Sequence, residues 1–223
     1  MVLTLYGTSY SACTKRVAVV LKELNVPFAF VNIDLLKGEH KAPAFLEKQP
    51  FGQVPYINDD GFELYESRAI CRYLLARYPS AGAALIPTEI KANALFEQAA
   101  SVELANFNEA AYGLVAEKVF KKLFAGLDAD EAKVAGLITA LEAKLDVYED
   151  ILSKQKYVSG NSPFLNDITE QEVTLADLFH LPYGTLVKDI NPELISARPH
   201  VSKWLETLQA RPAWIAVKDG VSA

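Results

Sequence analysis

Residues 50–70 read Pro50-Phe51-Gly52-Gln53-Val54-Pro55-Tyr56-Ile57-Asn58-Asp59-Asp60-Gly61-Phe62-Glu63-Leu64-Tyr65-Glu66-Ser67-Arg68-Ala69-Ile70. Pro55 drives Val54 toward extended backbone, so the stretch opens as a loop entering a strand. Asn58-Asp59-Asp60-Gly61 separates Tyr56-Ile57 from Phe62-Glu63-Leu64 and predicts a hairpin, because Asp and Gly tolerate positive φ. Ala69, Ile70, Tyr73, Leu74 and Arg77 then fall on one helical face.

Upstream of this hairpin the same alternation recurs. Val2 to Tyr6 is a short apolar strand, and Gly7-Thr8-Ser9-Tyr10-Ser11 a loop of small and polar residues. A helix follows with Val17, Val20, Leu21 and Leu24 at helical spacing, stopped by Asn25 and Pro27. Phe28 to Asp34 predicts a second strand, and a polar stretch around Lys37 to Lys41 leads into a short helix near Pro43 to Lys48. Strand, helix, strand, helix, hairpin, helix is a small α/β layer on a mixed sheet.

Downstream, Pro79 to Pro87 holds two prolines, a glycine and several alanines, as a linker does. Beyond it the pattern is helical throughout: Glu89 to Phe124, Asp130 to Leu152, Leu175 to Leu186 and Pro199 to Lys218. The expected division is 1–79 for the α/β domain, 80–88 for a linker and 89–223 for an all-helical domain.

With 223 residues, 51% of them apolar and 22% charged, the chain can build a sizeable core. No apolar run of about 18 residues is present to span a bilayer. The amino terminus lacks a basic signal region and reads as a strand. A net charge of -6 without a basic run argues against nucleic acid or an anionic membrane as partner. Cys13 and Cys71 are too few for a disulfide scaffold, so a cytoplasmic setting is expected. His40, His180 and His200 lie too far apart in sequence for metal-ligand spacing, and no metal is expected.

Four clusters fall beyond strand ends and at helix starts, where an α/β layer binds ligands. At Ser9-Tyr10-Ser11-Ala12-Cys13, unpaired N–H groups and the Ser11 hydroxyl could stabilise a thiolate, or Ser11 could simply cap the helix. Cys13 could be a nucleophile itself or a small core residue. At Gly38-Glu39-His40-Lys41 two adjacent donors could hold a carboxylate, or form a solvated loop. Around Val54-Pro55, a cis bond would turn the Val54 N–H and C=O outward to pair with a ligand backbone. At Glu66-Ser67-Arg68, a carboxylate beside a helix start suits the amino-acid end of a zwitterion, against the alternative of an ordinary cap.

Taken together, Gly38-Glu39-His40-Lys41 through Phe45-Leu46, Pro50-Phe51-Gly52-Gln53-Val54-Pro55 and Glu66-Ser67-Arg68-Ala69-Ile70 resemble the glutathione transferases, specifically the phi class of plants and fungi. Thr174-Leu175-Ala176-Asp177-Leu178 resembles that family's capping motif in the helical domain, and Asp177 there reads as structural. The Ser11-Ala12-Cys13-Thr14 segment also partly resembles the zeta class, whose members isomerise maleylacetoacetate, but the downstream motifs are phi-like.

The resemblance implies a thioredoxin-like first domain, an all-helical second domain, a homodimer with Phe51 as apolar anchor, and a role in detoxification. Ser11 would stabilise the glutathione thiolate, His40 and Lys41 with Gln53 nearby would hold the glycine end, Val54 before a cis Pro55 would pair with the cysteinyl backbone, and Glu66 with Ser67 would take the γ-glutamyl end. Glutathione would be a co-substrate, with no permanently bound cofactor. The second substrate would be a hydrophobic electrophile, conjugated or, if a peroxide, reduced, against a wall drawn from Ala12, Leu35, Phe107, Ala111, Tyr112 and Val115. The last four also fit a plain core stripe. The alternatives are a ligand carrier of the same fold without turnover, a zeta-like isomerase, and a thiol reductase using Cys13. Tyr10 is a further candidate beside Ser11.

Overall fold

β1, Leu3–Gly7, pairs parallel with β2, Phe28–Asn32, on one side and antiparallel with β3, Tyr56–Asp59, on the other. β4, Phe62–Tyr65, closes the expected hairpin on β3, so the sheet order is β2-β1-β3-β4 and the sheet is mixed. The structure is a computed structural model and describes residues 2–79, 85–160 and 173–223. Of the expected 80–88 linker, residues 80–84 lie outside the described ones.

The chain divides into two compact units, Met1–Ala83 with Ala210–Ala223, and Ala84–Gln209. In the first unit, Leu5 and Ile57 are directly paired across strands and both fully buried. The next pair, Tyr6 and Tyr56, points to the opposite face by the two-residue period of a strand. Their rings stack at 4.4 Å, and Phe45 of α2, Pro43–Leu46, meets Tyr56 edge-on. Ile33, Leu35, Val54 and Tyr65 complete that apolar cluster. α1, Ala12–Glu23, packs against α3, Ser67–Arg77, and Val17, Val20 and Leu21 of the first helix and Ile70 and Leu74 of the second are fully buried. Each of these fully buried aliphatic side chains contributes about 1.5–3 kcal/mol by leaving water.

The sequence predicts a single helix from Pro199 to Lys218 within the helical domain. Instead α10, Pro199–Gln209, stops before Pro212, which has no N–H to continue it, and α11, Pro212–Ile215, packs on α1. Residues 210–223, expected with the second domain, therefore group with the first unit. Arg211 forks onto Glu23 at 2.6 and 2.8 Å, and Trp214, Val217 and Val221 are buried.

In the second unit, α4, Ile90–Val102, and α5, Glu109–Val115, run on to α6, Lys121–Ala125, through wider π-helical turns at Glu103–Asn108 and Ala116–Phe120. α7, Glu131–Lys154, α8, Leu175–Ile190, and the short α9, Glu193–Ser196, follow, with α10 closing the unit. The expected capping box forms at Thr174 and Asp177. Asp177 is fully buried: one carboxylate oxygen accepts from the Thr174 N–H and hydroxyl, the other from the Val158 N–H and Trp204 Nε1, all within 3.0 Å. His180 is likewise buried, between the Ala176 carbonyl on Nδ1 and the Tyr148 hydroxyl on Nε2. A carbonyl only accepts, so Nδ1 carries the proton and Nε2 accepts from Tyr148. No helix among the described residues is long and apolar enough to cross a membrane.

Candidate active site

The strand registers decide where the loops emerge. Gly7 pairs with Asn32, Tyr6 with Tyr56, and Tyr56 with Tyr65. The carboxyl ends of β1, β2 and β4 and the amino end of β3 therefore share one end of the sheet. Every residue singled out in the α/β domain follows or precedes one of those four strand ends.

Ser11 closes a turn whose Ser11 N–H donates to the Thr8 carbonyl at 3.1 Å, and it is the N-cap of α1. Its Oγ accepts from the Thr14 N–H at 3.3 Å. The capping reading and the thiolate reading are compatible, because an accepting hydroxyl keeps its proton to donate. Ala12 behind it is buried, and Cys13 is half-buried with Arg16 Nη1 donating to its Sγ at 3.6 Å. The same Nη1 reaches Ser67 Oγ at 3.0 Å, so the fully buried Arg16 joins the starts of α1 and α3. Sequence reasoning passed over Arg16. The signal was a lone cation on the apolar stripe of Val17, Val20 and Leu21.

Glu66, not Ser67, is the N-cap of α3, and Ser67 is its first helical residue, 5% exposed. Glu66 is itself exposed and holds φ 72°, ψ 106°, a conformation that costs a non-glycine residue roughly 1–3 kcal/mol. Such strain persists where the surroundings impose it, and it turns the Glu66 backbone at the sheet end.

Lys41 does not simply project into solvent as a loop lysine would. It donates to the Gly52 carbonyl at 2.8 Å and to the Phe51 carbonyl at 3.2 Å, binding the 3₁₀ turn Glu39–Lys41 to the loop before β3. Gly52 sits at φ 59°, and a Cβ there would come within 2.7 Å of Lys41 Nζ. Beside it, the buried His40 Nδ1 has no hydrogen-bond partner among the described residues. Burial, then the Lys41 charge, hold His40 below the ordinary histidine range and hence neutral at pH 7.

The Val54–Pro55 peptide is cis. The Val54 side chain packs into the Tyr56 cluster with Leu35, while its N–H and carbonyl have no partner among the described residues. Gln53 donates its N–H to Oε1 of Gln49, a buried residue the sequence reading did not single out, at 3.0 Å. Phe51 is 64% exposed and meets Tyr65 edge-on. Tyr10 is more exposed still, at 76%.

The four pocket candidates of the second unit separate. Phe107, Ala111 and Val115 are buried in that unit's own core, Phe107 against Tyr148 and His180. Tyr112 is half-exposed and begins an aromatic row with Phe120, Phe124 and Tyr183, three residues not singled out from sequence. No cluster able to hold a metal ion occurs among the described residues.

Comparison with known proteins agrees along the whole chain. The family model for the glutathione S-transferase N-terminal domain matches residues 1–76, and that for the C-terminal domain residues 112–212. The chain is 48% identical over 204 residues to glutathione S-transferase PM239X14 of Arabidopsis thaliana, covering 90% of this chain and 88% of that one. It is 40% identical to glutathione S-transferase hmp2 of Hypomyces subiculosus, over 96% and 97% of the two chains. Among solved structures, glutathione transferase F7 of Populus trichocarpa superposes with a TM-score of 0.90 at 36% identity over 98% of both chains. Glutathione S-transferase I from mais, in complex with an atrazine glutathione conjugate, gives 0.85 at 28% identity over 98% of this chain and 97% of that one. With both of its halves matched and an enzyme of this kind alike over nine-tenths of its length, the chain belongs to the glutathione S-transferase family, in the phi class.

Proposed function

We propose that the chain binds glutathione across the end of its sheet, ionises the thiol beside Ser11, and transfers the sulfur to a hydrophobic electrophile. The observation that carries this is the register, which brings four chemically distinct loops to one sheet end. Each offers a different end of the peptide a partner. The unpaired N–H and carbonyl of Val54 suit the cysteinyl backbone, as an added strand would. The orphaned His40 Nδ1 recovers a hydrogen bond when a carboxylate accepts from it, and Lys41 adds charge. Ser67 at the start of α3 suits the γ-glutamyl carboxylate, and Glu66 beside it the ammonium.

With both ends held, the sulfur lies at the start of α1, where the Ser11 proton and the helix N–H groups favour the anion. The thiol proton leaves to solvent. The thiolate forms the new carbon–sulfur bond as the leaving group departs with its electron pair. The atrazine glutathione conjugate held by the mais enzyme is chemistry of this class. The exposed Phe51 supports a homodimer in which that ring is covered by the second copy.

Two measurements test the reading. Titration calorimetry with glutathione should show binding below millimolar concentration, and an aryl halide should yield the thioether. Binding without product would make the protein a carrier. No binding would remove the proposal.

A further inference from the structure

Ser9 is the pivot of the turn that delivers Ser11, and it is held from two sides. Its N–H donates to Asn32 Oδ1 of β2 at 3.3 Å. Its carbonyl accepts from the N–H of Val221 at 3.1 Å, more than 200 residues away in sequence. The next residue, Tyr10, is 76% exposed, so the tip of the turn has no buried side chain to anchor it. Backbone bonds must fix it instead.

The carboxyl-terminal segment is built to supply that bond. Val217 and Val221 are buried, and Lys15 Nζ in the first turns of α1 donates to the Lys218 carbonyl at 2.6 Å. Between them Gly220 reverses the chain at φ 149°, its N–H on the Val217 carbonyl at 3.1 Å, and passes close enough that a Cβ would lie 3.9 Å from the Ser9 Cβ. The segment thus grips the Ser11 turn on its Ser9 side and on its Lys15 side.

We infer that residues 217–221 are a positioning element for the reaction, the Val221 N–H holding the Ser9–Ser11 turn in the geometry that aims the Ser11 hydroxyl at the glutathione sulfur. This rests on the thiolate reading of Ser11. The positioning group is a backbone donor, so the substitution that removes it is Val221→Pro, while Val221→Ala keeps it.

The readout is the pH dependence of kcat/KM for aryl halide conjugation, with the ultraviolet absorbance of the bound thiolate as a direct check. V221P should raise the apparent thiol pKa by about one unit, a roughly tenfold loss of thiolate on the acid limb, with the KM for glutathione changed less than about twofold. V221A should keep the parent profile even if its melting point falls. A chain lacking residues 220–223 should behave as V221P does, and replaces it should V221P fail to fold. An unshifted profile in the variant lacking the donor overturns the inference, as does an equal shift in V221A, which would assign the effect to packing. Ser11→Ala run in parallel separates the layers. If it shifts the pKa and V221P does not, the tail has no positioning role and the thiolate reading stands. If Ser11→Ala shifts nothing, the thiolate reading falls and takes the tail's role with it.

Discussion

Arg16 Nη1 and Ser67 Oγ lie 3.0 Å apart, both out of solvent, and tie the amino-terminal part of α1 to the first turn of α3. These are the two helix starts at which the proposed peptide would place its sulfur and its γ-glutamyl end. A charged donor between them fixes their separation and leaves Ser67 with its proton to donate outward. Burial alone would not achieve this. Cys71, fully enclosed between the same helices, has its thiol pushed up to about 12 by desolvation and donates weakly to the Arg16 carbonyl.

Replacing Arg16 by Met keeps most of the volume and removes the donor. Removing one partner of a buried charge-assisted hydrogen bond costs about 1.5–3 kcal/mol. Arg16→Met should therefore lower the denaturant midpoint accordingly and raise the KM for glutathione several-fold. Restoring length without the fork, as Arg16→Lys, should recover stability only in part. Parent-like values in both variants would show that the bridge is incidental to site and fold.

Ser11→Ala separates two roles carried by one oxygen. Loss of the cap on the Thr14 N–H should cost about 1 kcal/mol of stability. Loss of the outward donor should raise the kinetic pKa of the bound thiol by one to two units, about 1.4 kcal/mol each, and cut turnover at pH 6.5 by at least tenfold. The pH profile of kcat/KM reads the second effect and thermal melting the first. A stability loss with an unmoved profile would leave Ser11 as a cap alone.

Much of this arrangement is legible in the amino-acid sequence. Asn58 to Gly61 announced the hairpin because turn chemistry is local, and the cis Val54–Pro55 bond followed from likeness to a family. What escaped was long-range pairing between residues of ordinary type. Nothing near Arg16 names Ser67 as its partner 51 positions on, and nothing near Val221 names Ser9. Apolar periodicity likewise marked Phe107, Ala111 and Val115 as one stripe without saying whether a ligand or a core would cover it, and the core does. The break at Pro212 was visible as a proline, but not that the chain beyond it returns to the sheet domain.

Gly52 is the position where a single methyl group should be most damaging to the carboxylate end. Its φ of 59° disfavours any side chain, and an added Cβ would meet Lys41 Nζ at 2.7 Å and the His40 carbonyl at 2.9 Å. Gly52→Ala should destabilise the fold by about 1–2 kcal/mol and push Lys41 off the Phe51 and Gly52 carbonyls. The KM for glutathione should rise about tenfold while kcat, set at Ser11, moves less than threefold. A matching fall in kcat would mean that the two ends of the site are not independent.

Glu117 offers a pH signature for the helical unit that owes nothing to the ligand. Its carboxylate, 5% exposed, accepts from Lys121, from the Asp130 N–H at 2.9 Å and from Lys133 at 2.9 Å, joining the π-helical turn to the start of α7. The Lys121 hydrogen bond foremost, then those from Asp130 and Lys133, draw its pKa down from 4.5 to about 2. A folded-state pKa below the unfolded one means that the unfolded chain binds the proton more readily, so stability rises with pH across the interval. The contribution is complete above about pH 4.5 and is lost as pH falls toward 2. Glu117→Gln should therefore be less stable than the parent at pH 7, and the two urea midpoints should converge as the pH is lowered from 4.5 to 2. A constant gap across that range would mean that the carboxylate's charge contributes nothing, and that shape and neutral hydrogen bonding alone hold the turn to the helix.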